Sequence, residues 1–412
     1  MGTGLHRSRF GTLLLQTVHA FRQARPSVYA MPGADAGPSS RPTELPDTSD
    51  VLAAFKIGGG VGDHLIAARY IRDLVAAVGD FRFDIYSSRP ETATWIFGGM
   101  PQFNRSYDEY FCWSGNKYYN QYAVSMWVSQ FIVLYYDSIK WVTLNSRSPR
   151  LVRICEFIDR FRNARDMNEI IHAHPRLDGL LGTKAVFMNL NRHNFAHAMS
   201  GIPYGGHLYS LPVDATLREK FGLQSRPYVT IHNGFDSEFQ TAYGFAHQST
   251  KIYPHFGTVL SLLRARYPDL FVVQLGSTTS RRIEGVDMAL LNKTTLGDAT
   301  AILAGSTLHI DNESGLVHLA ACIGTVSCVV FGPTPPAYFG YERNINIAPH
   351  VCGGCWWTTK DWMTHCPRGF EPPVCLSETP PQAVADAILA FLDARPVEVA
   401  SASGASLPAM AK

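Results

Sequence analysis

Short apolar runs alternate with longer amphipathic segments along most of the chain from residue 51 onward. The runs have the length and composition of buried strands, and the segments between them have the spacing of helices that cover a sheet. We predict strands at residues 51–57, 83–86, 141–144, 185–189, 228–232, 270–275, 308–310 and 327–331. Helices are predicted at residues 63–78, 255–267, 299–303 and 381–392. Strands that alternate with helices form parallel sheets, so the pattern predicts an α/β protein.

The alternation occurs in two halves, which predicts two doubly wound domains that face one another. The first domain is expected to span residues 51–215 and the second residues 226–395. Residues 1–50 end in a stretch rich in Gly, Pro, Ser and Asp, and we expect them to form a flexible extension. The small-residue tail at 396–412 is expected to be disordered.

The composition narrows the classes of function. The chain has 412 residues, of which 46% are hydrophobic and 17% charged, which is enough for two domains with full cores. A formal net charge of +2 provides no field that favours nucleic acid or an anionic membrane. No run reaches the roughly 20 apolar residues of a spanning helix, and the apolar stretch near Met1 is too short for a signal peptide. We therefore expect a cytoplasmic protein without a transmembrane segment or a nucleic-acid partner.

Four of the eight cysteines lie in one short C-terminal segment, residues 350–378. They are Cys352, Cys355, Cys366 and Cys375. Four thiolates suit tetrahedral zinc or a rubredoxin-like iron, and a site closed by four cysteines is usually structural. Two disulfides are the alternative, which a reducing compartment disfavours, so we predict a metal site. The histidines of the central region show no spacing typical of metal ligands, and we treat them as scattered. They are His172, His174, His193, His197 and His207.

A glycine-rich loop at residues 58–62 follows the first predicted strand and leads directly into Asp63. The loop fails as a dinucleotide fingerprint, because no acidic residue follows at the required distance. Asp63 is either a helix N-cap or a carboxylate on a strand-end loop that takes a proton from an acceptor hydroxyl. Asp108 and Asp137 are further candidate bases in the aromatic-rich stretch 107–141, whose rings we expect mainly in the core.

Two more segments place polar groups at the start of a helix. Thr250 and Lys251 precede the helix at 255–267, where a lysine and a hydroxyl can bind a diphosphate without a metal. The alternative is an ordinary surface lysine. Residues 313–318 form a polar turn that opens into an apolar helix, and a strand ending in Gly-Pro-Thr follows. A helix N-terminus of this kind favours a phosphate or a sugar hydroxyl, which predicts a nucleotide-linked ligand there.

Together these motifs resemble glycosyltransferase family 9, the ADP-heptose heptosyltransferases. The matching runs are Gly60-Val61-Gly62-Asp63, Thr250-Lys251-Ile252-Tyr253-Pro254, Glu313-Ser314-Gly315-Leu316-Val317-His318 and Phe331-Gly332-Pro333-Thr334. The family usually has Asp where this chain has Glu313. The cysteine segment and the glycine-rich loop are most similar to the bacterial autotransporter heptosyltransferases, which carry iron on four cysteines.

The resemblance implies a GT-B fold, with the acceptor on the N-terminal domain and the donor, ADP-heptose, on the C-terminal one. It makes Asp63 the catalytic base and assigns donor contacts to Gly60, Gly62, Thr250, Lys251, Glu313, Ser314, Gly315 and His318. It also implies that Lys251 and a helix dipole replace a catalytic divalent metal, and that iron or zinc is structural. The implied acceptor is Ser or Thr of an autotransporter adhesin. A lipopolysaccharide core acceptor and an inactive sugar-binding or assembly protein are the alternatives, and a homo-oligomer is compatible with each.

Overall fold

The computed structural model describes residues 51–79, 81–109, 121–136, 139–173, 179–235 and 250–395. The predicted extension at 1–50, the predicted tail at 396–412 and the candidate base Asp137 lie outside these ranges. Two sheets of predominantly parallel strands organise the rest. Within the described part of the chain, no helix is both long and apolar enough to cross a bilayer.

The first sheet belongs to the half of the chain that contains the glycine-rich loop. Its strands are β1 (Val51–Ile57), β2 (Arg82–Ser87), β3 (Phe103–Asp108), β4 (Val124–Val128) and β5 (Ile132–Leu134), in the order β3-β2-β1-β4-β5. All pairings are parallel except that of β4 with β5. Every residue of β1 is buried, as expected for a central strand covered on both faces. Helices α1 (Val61–Val78) and α2 (Pro90–Phe97) connect the first three strands.

A helical stretch separates the two sheets. It comprises α3 (Trp141–Arg147), α4 (Pro149–Asn163), α5 (Met167–Ala173), α6 (Gly179–Phe187) and α7 (Phe195–Ser200). The predicted strands at 141–144 and 185–189 are therefore wrong, since helices α3 and α6 occupy these positions. A short apolar run cannot be assigned to a strand or a buried helix by its periodicity alone, and tertiary packing decides it here.

The second sheet is entirely parallel. Its strands are β6 (Val229–Ile231), β7 (Val272–Gly276), β8 (Met288–Leu291), β9 (His309–Asn312), β10 (Ser327–Val330) and β11 (Ile345–Ile347), in the order β11-β10-β9-β6-β7-β8. A 3₁₀ helix, Ala215–Phe221, precedes it. The helices of this half are α8 (Phe256–Arg266), α9 (Leu296–Ala304), α10 (Gly315–Cys322), α11 (Pro336–Phe339), α12 (Val374–Ser377) and α13 (Pro381–Asp393).

Both sheets reverse their strand order once, between β1 and β4 in the first and between β6 and β9 in the second. These are the switch points of a doubly wound fold, where ligands bind beyond the carboxyl ends of the strands. The prediction of an α/β protein with two Rossmann-like domains is thereby confirmed. The glycine-rich loop follows β1, and Glu313 follows β9 directly, so both lie at switch points.

Candidate active site

The N-termini of α1 and α10, one from each half, are in direct contact at Gly62. A Cβ atom added to Gly62 would lie 2.5 Å from Cδ2 of His318. A Cβ on Gly315 would lie 3.4 Å from the backbone nitrogen of Gly62. The absence of a side chain at Gly62 is therefore what permits the close approach of the two helices, and it brings the two switch points together.

Asp63 lies in the first turn of α1, at the edge of this junction. The helix N-cap is Gly60, and Asp63 is the third helical residue, so it does not cap the helix from the N-cap position. Its Oδ2 accepts a hydrogen bond from the backbone nitrogen of Gly60 at 3.1 Å. Its Oδ1 accepts one from Nη2 of Arg192 at 2.9 Å. Because 34% of the side chain remains exposed, an incoming hydroxyl can still reach the carboxylate.

On the other side of the junction, Glu313 joins Lys251 to His318. Nζ of Lys251 lies 2.5 Å from Oε2 of Glu313, and Nε2 of His318 lies 3.4 Å from Oε1. Burial alone would raise the pKa of Glu313, but Lys251 and then His318 outweigh it and bring that pKa to about 2. Glu313 is therefore a permanent anion at neutral pH, and it holds the lysine at the start of α10.

His318 is also tied to the first half of the chain. Its Nδ1 lies 2.7 Å from the hydroxyl of Tyr341, which accepts a hydrogen bond from Nη1 of Arg69 at 2.8 Å. Because the ionised Glu313 can only accept, Nε2 of His318 carries the ring proton, and in the neutral ring Nδ1 accepts a hydrogen bond from the Tyr341 hydroxyl. Burial lowers the pKa of His318, and the charge of Arg69 lowers it further although Glu313 opposes the change.

A buried carboxylate that we did not predict organises the same switch point. Asp311, on β9, lies 2.8 Å from Nδ1 of His232 and 3.1 Å from Nε2 of His309, and it accepts a 2.5 Å hydrogen bond from the hydroxyl of Ser314. Ser314 is the N-cap of α10, where its hydroxyl also accepts from the backbone nitrogen of Leu316. The hydroxyl that we assigned to the ligand thus fixes the helix N-terminus.

Comparisons with known proteins show similarity to one family and to several solved structures. Residues 274–355, which include β9 and α10, match the model of a family described as glycosyltransferase family 9 (heptosyltransferase). The matched residues are similar to that family and include Glu313, Ser314, Gly315 and His318, whereas Asp63 and Lys251 lie outside the match. No protein with a curated function matches the chain over its sequence.

Several solved structures share the fold of this chain. A family 9 glycosyltransferase from Veillonella parvula DSM 2008 is 12% identical with a TM-score of 0.52, and the match covers 85% of this chain and 100% of that one. The iron-containing dodecameric glycosyltransferase TibC from enterotoxigenic E. coli H10407 is 14% identical with a TM-score of 0.52, covering 85% and 78% of the two chains. TibC in complex with ADP-D-beta-D-heptose is 13% identical with a TM-score of 0.51, covering 84% and 77%. At these identities the likeness shows the GT-B fold.

Two residues of the central helical stretch reach the site, although no motif in the sequence indicates them. Nη1 of Arg192 donates to the carbonyl of Ser129, just after β4, and Nη2 of the same side chain binds Asp63. The ring of His193 stacks on Tyr341, with centroids 3.9 Å apart. Both residues follow α6 in an irregular segment, and only the folded chain shows that this segment crosses the first switch point.

The remaining predicted residues divide into those near the site and those away from it. The hydroxyl of Thr250 is buried and donates to the carbonyl of Trp362 at 2.8 Å, so it is directed at the cysteine segment. Asp108 is exposed at the end of the edge strand β3, two strands away from β1.

The four cysteines of the segment lie close enough to influence one another electrostatically. Burial, and then the neighbouring thiols, raise the pKa of Cys355 to about 11 and that of Cys375 to about 12. Nη1 of Arg368 lies 3.4 Å from Sγ of Cys352. A set of four gathered thiols fits a soft metal ion in its donor chemistry. Across the described ranges, however, no group of three or more His, Cys, Asp or Glu has its ligand atoms already placed to hold a metal ion, so the metal site stays a prediction.

Proposed function

We propose that the protein is an inverting heptosyltransferase that transfers heptose from ADP-heptose to the hydroxyl of Ser or Thr in an autotransporter adhesin. The observation that carries the proposal is the junction of the two switch points. A partly exposed carboxylate, Asp63, stands on one side, and the Lys251–Glu313–His318 group stands on the other. The family description and the ADP-heptose bound to the structurally similar TibC support the identity of the donor.

The donor diphosphate would bind at the N-terminus of α10. The backbone N–H groups of this turn and the positive end of the helix dipole favour an anion there. Lys251 adds a positive charge that Glu313 holds in place, so the diphosphate would share the lysine with the carboxylate. In this proposal Lys251 and the helix end stabilise the departing ADP, the role that a divalent metal has in other transferases.

The acceptor would react in one displacement. Asp63 takes the proton of the acceptor hydroxyl as its oxygen attacks the anomeric carbon of the heptose. The bond between that carbon and the diphosphate oxygen breaks, and ADP leaves with the electron pair. Arg192 holds one oxygen of Asp63 and the Gly60 amide holds the other, so the carboxylate is oriented before the acceptor arrives.

The cysteine segment would hold one iron or zinc ion on Cys352, Cys355, Cys366 and Cys375. The thiol set supports either metal, and the iron content of the similar TibC favours iron. Because four thiolates complete a tetrahedral site, the metal would stabilise the segment and would not bind substrate. The similar TibC is dodecameric, which supports a homo-oligomer here.

The test measures ADP release and product mass after incubation with ADP-heptose. One reaction contains an adhesin passenger fragment and a second contains a lipopolysaccharide core oligosaccharide. A mass increase of one heptose on the peptide is the expected result. Transfer to the oligosaccharide alone would instead show the lipopolysaccharide function. No ADP release with either acceptor would indicate an inactive sugar-binding protein and would reject the proposal.

A further inference from the structure

The cysteine segment, residues 350–378, is bonded directly to the residue next to the donor lysine. The backbone nitrogen of Thr250 donates to the carbonyl of Met363 at 2.9 Å. The hydroxyl of Thr250 donates to the carbonyl of Trp362 at 2.8 Å and lies 3.2 Å from that of Met363. Thr250 is 4% exposed and Trp362 is 2% exposed, so these bonds are shielded from water. Thr250 therefore connects the segment to Lys251.

The same segment packs against the other half of the molecule. A Cβ on Gly179, at the start of α6, would lie 2.2 Å from the carbonyl oxygen of Trp356. A Cβ on Gly182, one turn later, would lie 3.0 Å from the Trp356 ring. The ring also packs against Tyr338 and Phe339, with centroids 5.5 and 5.0 Å away. The backbone of α6 thus rests on the cysteine segment with no intervening side chain.

Cys355 and Cys366 flank, in the sequence, the residues that contact Thr250 and α6. Trp356, Trp362 and Met363 all lie between Cys355 and Cys366 in the sequence. Any bond that joins these thiols closes a short loop, and a short closed loop has fewer conformations than an open one. The loop carries the two carbonyls that bind Thr250, so its conformation determines where the backbone before Lys251 lies.

We propose that the cysteine segment is a positioning element of the donor site and acts through Thr250 on Lys251. This inference rests on the proposed function. Thr250 is then a positioning residue, bonded to backbone carbonyls, and does not touch the diphosphate. Lys251 must place its Nζ within 2.5 Å of Glu313 and beside the start of α10. A loosened backbone at Thr250 lets the charge of Lys251 move away from the diphosphate, which weakens their attraction and therefore donor binding.

The experiment measures the affinity of the full chain for ADP by calorimetry. Thr250→Val keeps the shape of the side chain and removes the hydroxyl, and we expect ADP binding about tenfold weaker, or about 1.4 kcal/mol. Thr250→Ser retains the hydroxyl and should bind nearly as wild type does. Cys366→Ser should weaken ADP binding to a similar extent. The double variant Thr250→Val/Cys366→Ser should bind no more weakly than the weaker single variant, because both changes interrupt one connection.

Thr364→Val is the matched control. Its hydroxyl is exposed, lies in the same segment and makes local contacts, with the carbonyl of Asp361 at 3.0 Å and Nδ1 of His365 at 2.9 Å. This variant should bind ADP as wild type does. The proposal is overturned if Thr250→Val retains full affinity. It is also overturned if the losses of the two single variants multiply in the double variant, since Thr250 would then act independently of the cysteines.

A second measurement separates this inference from the proposed function. Hydrogen exchange without ligand reports the bond from the Thr250 amide to Met363 directly. In Cys366→Ser this amide should exchange at least about tenfold faster. The His232 amide, which donates to Ile310 at 2.9 Å, should exchange as in wild type. If wild type binds no ADP, the donor assignment fails, and unchanged exchange at Thr250 would still reject the positioning role.

Discussion

Asp63 is the residue whose chemistry is most sharply constrained by its neighbours. Its two oxygens are oriented by Arg192 and Gly60, yet a third of the side chain is open. We predict that Asp63→Asn lowers the rate of ADP release with a bound acceptor by about 100-fold, because an amide cannot accept the acceptor proton. ADP affinity should change little. Asp108→Asn, on the edge strand, is the control and should retain wild-type turnover. Equal losses in both variants would contradict the assignment of the base.

Glu313 and Lys251 depend on one another because both are largely buried. The side chains are 7% and 12% exposed, so removing one charge takes away the opposite charge nearest to the other in a poorly solvated place. We expect Lys251→Met and Glu313→Gln each to lower the free energy of unfolding by about 3 kcal/mol. The double variant should lose clearly less than the sum, as urea unfolding can measure. Additive losses would show that the two side chains do not act as a pair.

At the scale of elements, the contact between α1 and α10 depends on one missing side chain. Gly62→Ala would place a methyl group 2.5 Å from the ring of His318, closer than any unstrained contact. We predict a melting temperature several degrees lower and a weaker affinity for ADP, because the helix ends must separate. Gly315→Ala is the matched stability control on the opposite helix, since its nearest atom would be 3.4 Å away. A melting temperature unchanged by Gly62→Ala would refute this account of the junction.

Two helices are predicted correctly because an apolar pattern of helical spacing and a turn or proline before it indicate the same element. The helix predicted at 63–78 follows a glycine turn and is found at Val61–Val78, and the helix predicted at 255–267 follows a proline and is found at Phe256–Arg266. The segments at 141–144 and 185–189 have only a short apolar run, and no flanking turn signal indicates whether the run is a strand or part of a helix. Packing between the two sheets makes them parts of α3 and α6.

The same distinction applies to the site. Contiguous motifs indicate Asp63 and the run from Glu313 to His318, which follow strands and begin helices, and Lys251, which lies shortly before α8. Arg69 and Tyr341 are separated by 272 positions in the sequence and are hydrogen-bonded in the folded chain. The sequence contains the local polar turns, but it cannot show which distant side chain satisfies each of them.

At the scale of the whole molecule, the two halves are joined through buried histidines. His193 and His318 both contact Tyr341, and both lie between the sheets. Burial lowers the pKa of His318, and it lowers that of His193 well below its ordinary value, aided by the charges of Arg69 and Arg192. The folded protein therefore keeps these two rings neutral at pH values where an unfolded chain protonates them.

This difference predicts a loss of stability in mild acid. A histidine whose pKa is lowered by folding binds its proton more readily in the unfolded chain. The free energy of unfolding therefore falls as the pH drops below the histidine pKa of the unfolded chain, near 6.5. Each such ring contributes a slope of up to about 1.4 kcal/mol per pH unit. Glu313, whose folded pKa is about 2, adds its loss only below its ordinary value near pH 4. Asp84 opposes these losses, because burial raises its pKa.

We therefore expect the melting temperature to fall between pH 7 and pH 5. His193→Phe, which retains an aromatic ring on Tyr341, should reduce the slope of melting temperature against pH. His365→Gln, at a histidine whose side chain is 77% exposed, should leave the slope unchanged. If His193→Phe has the wild-type slope over this interval, the neutral ring of His193 is not the cause of the acid sensitivity.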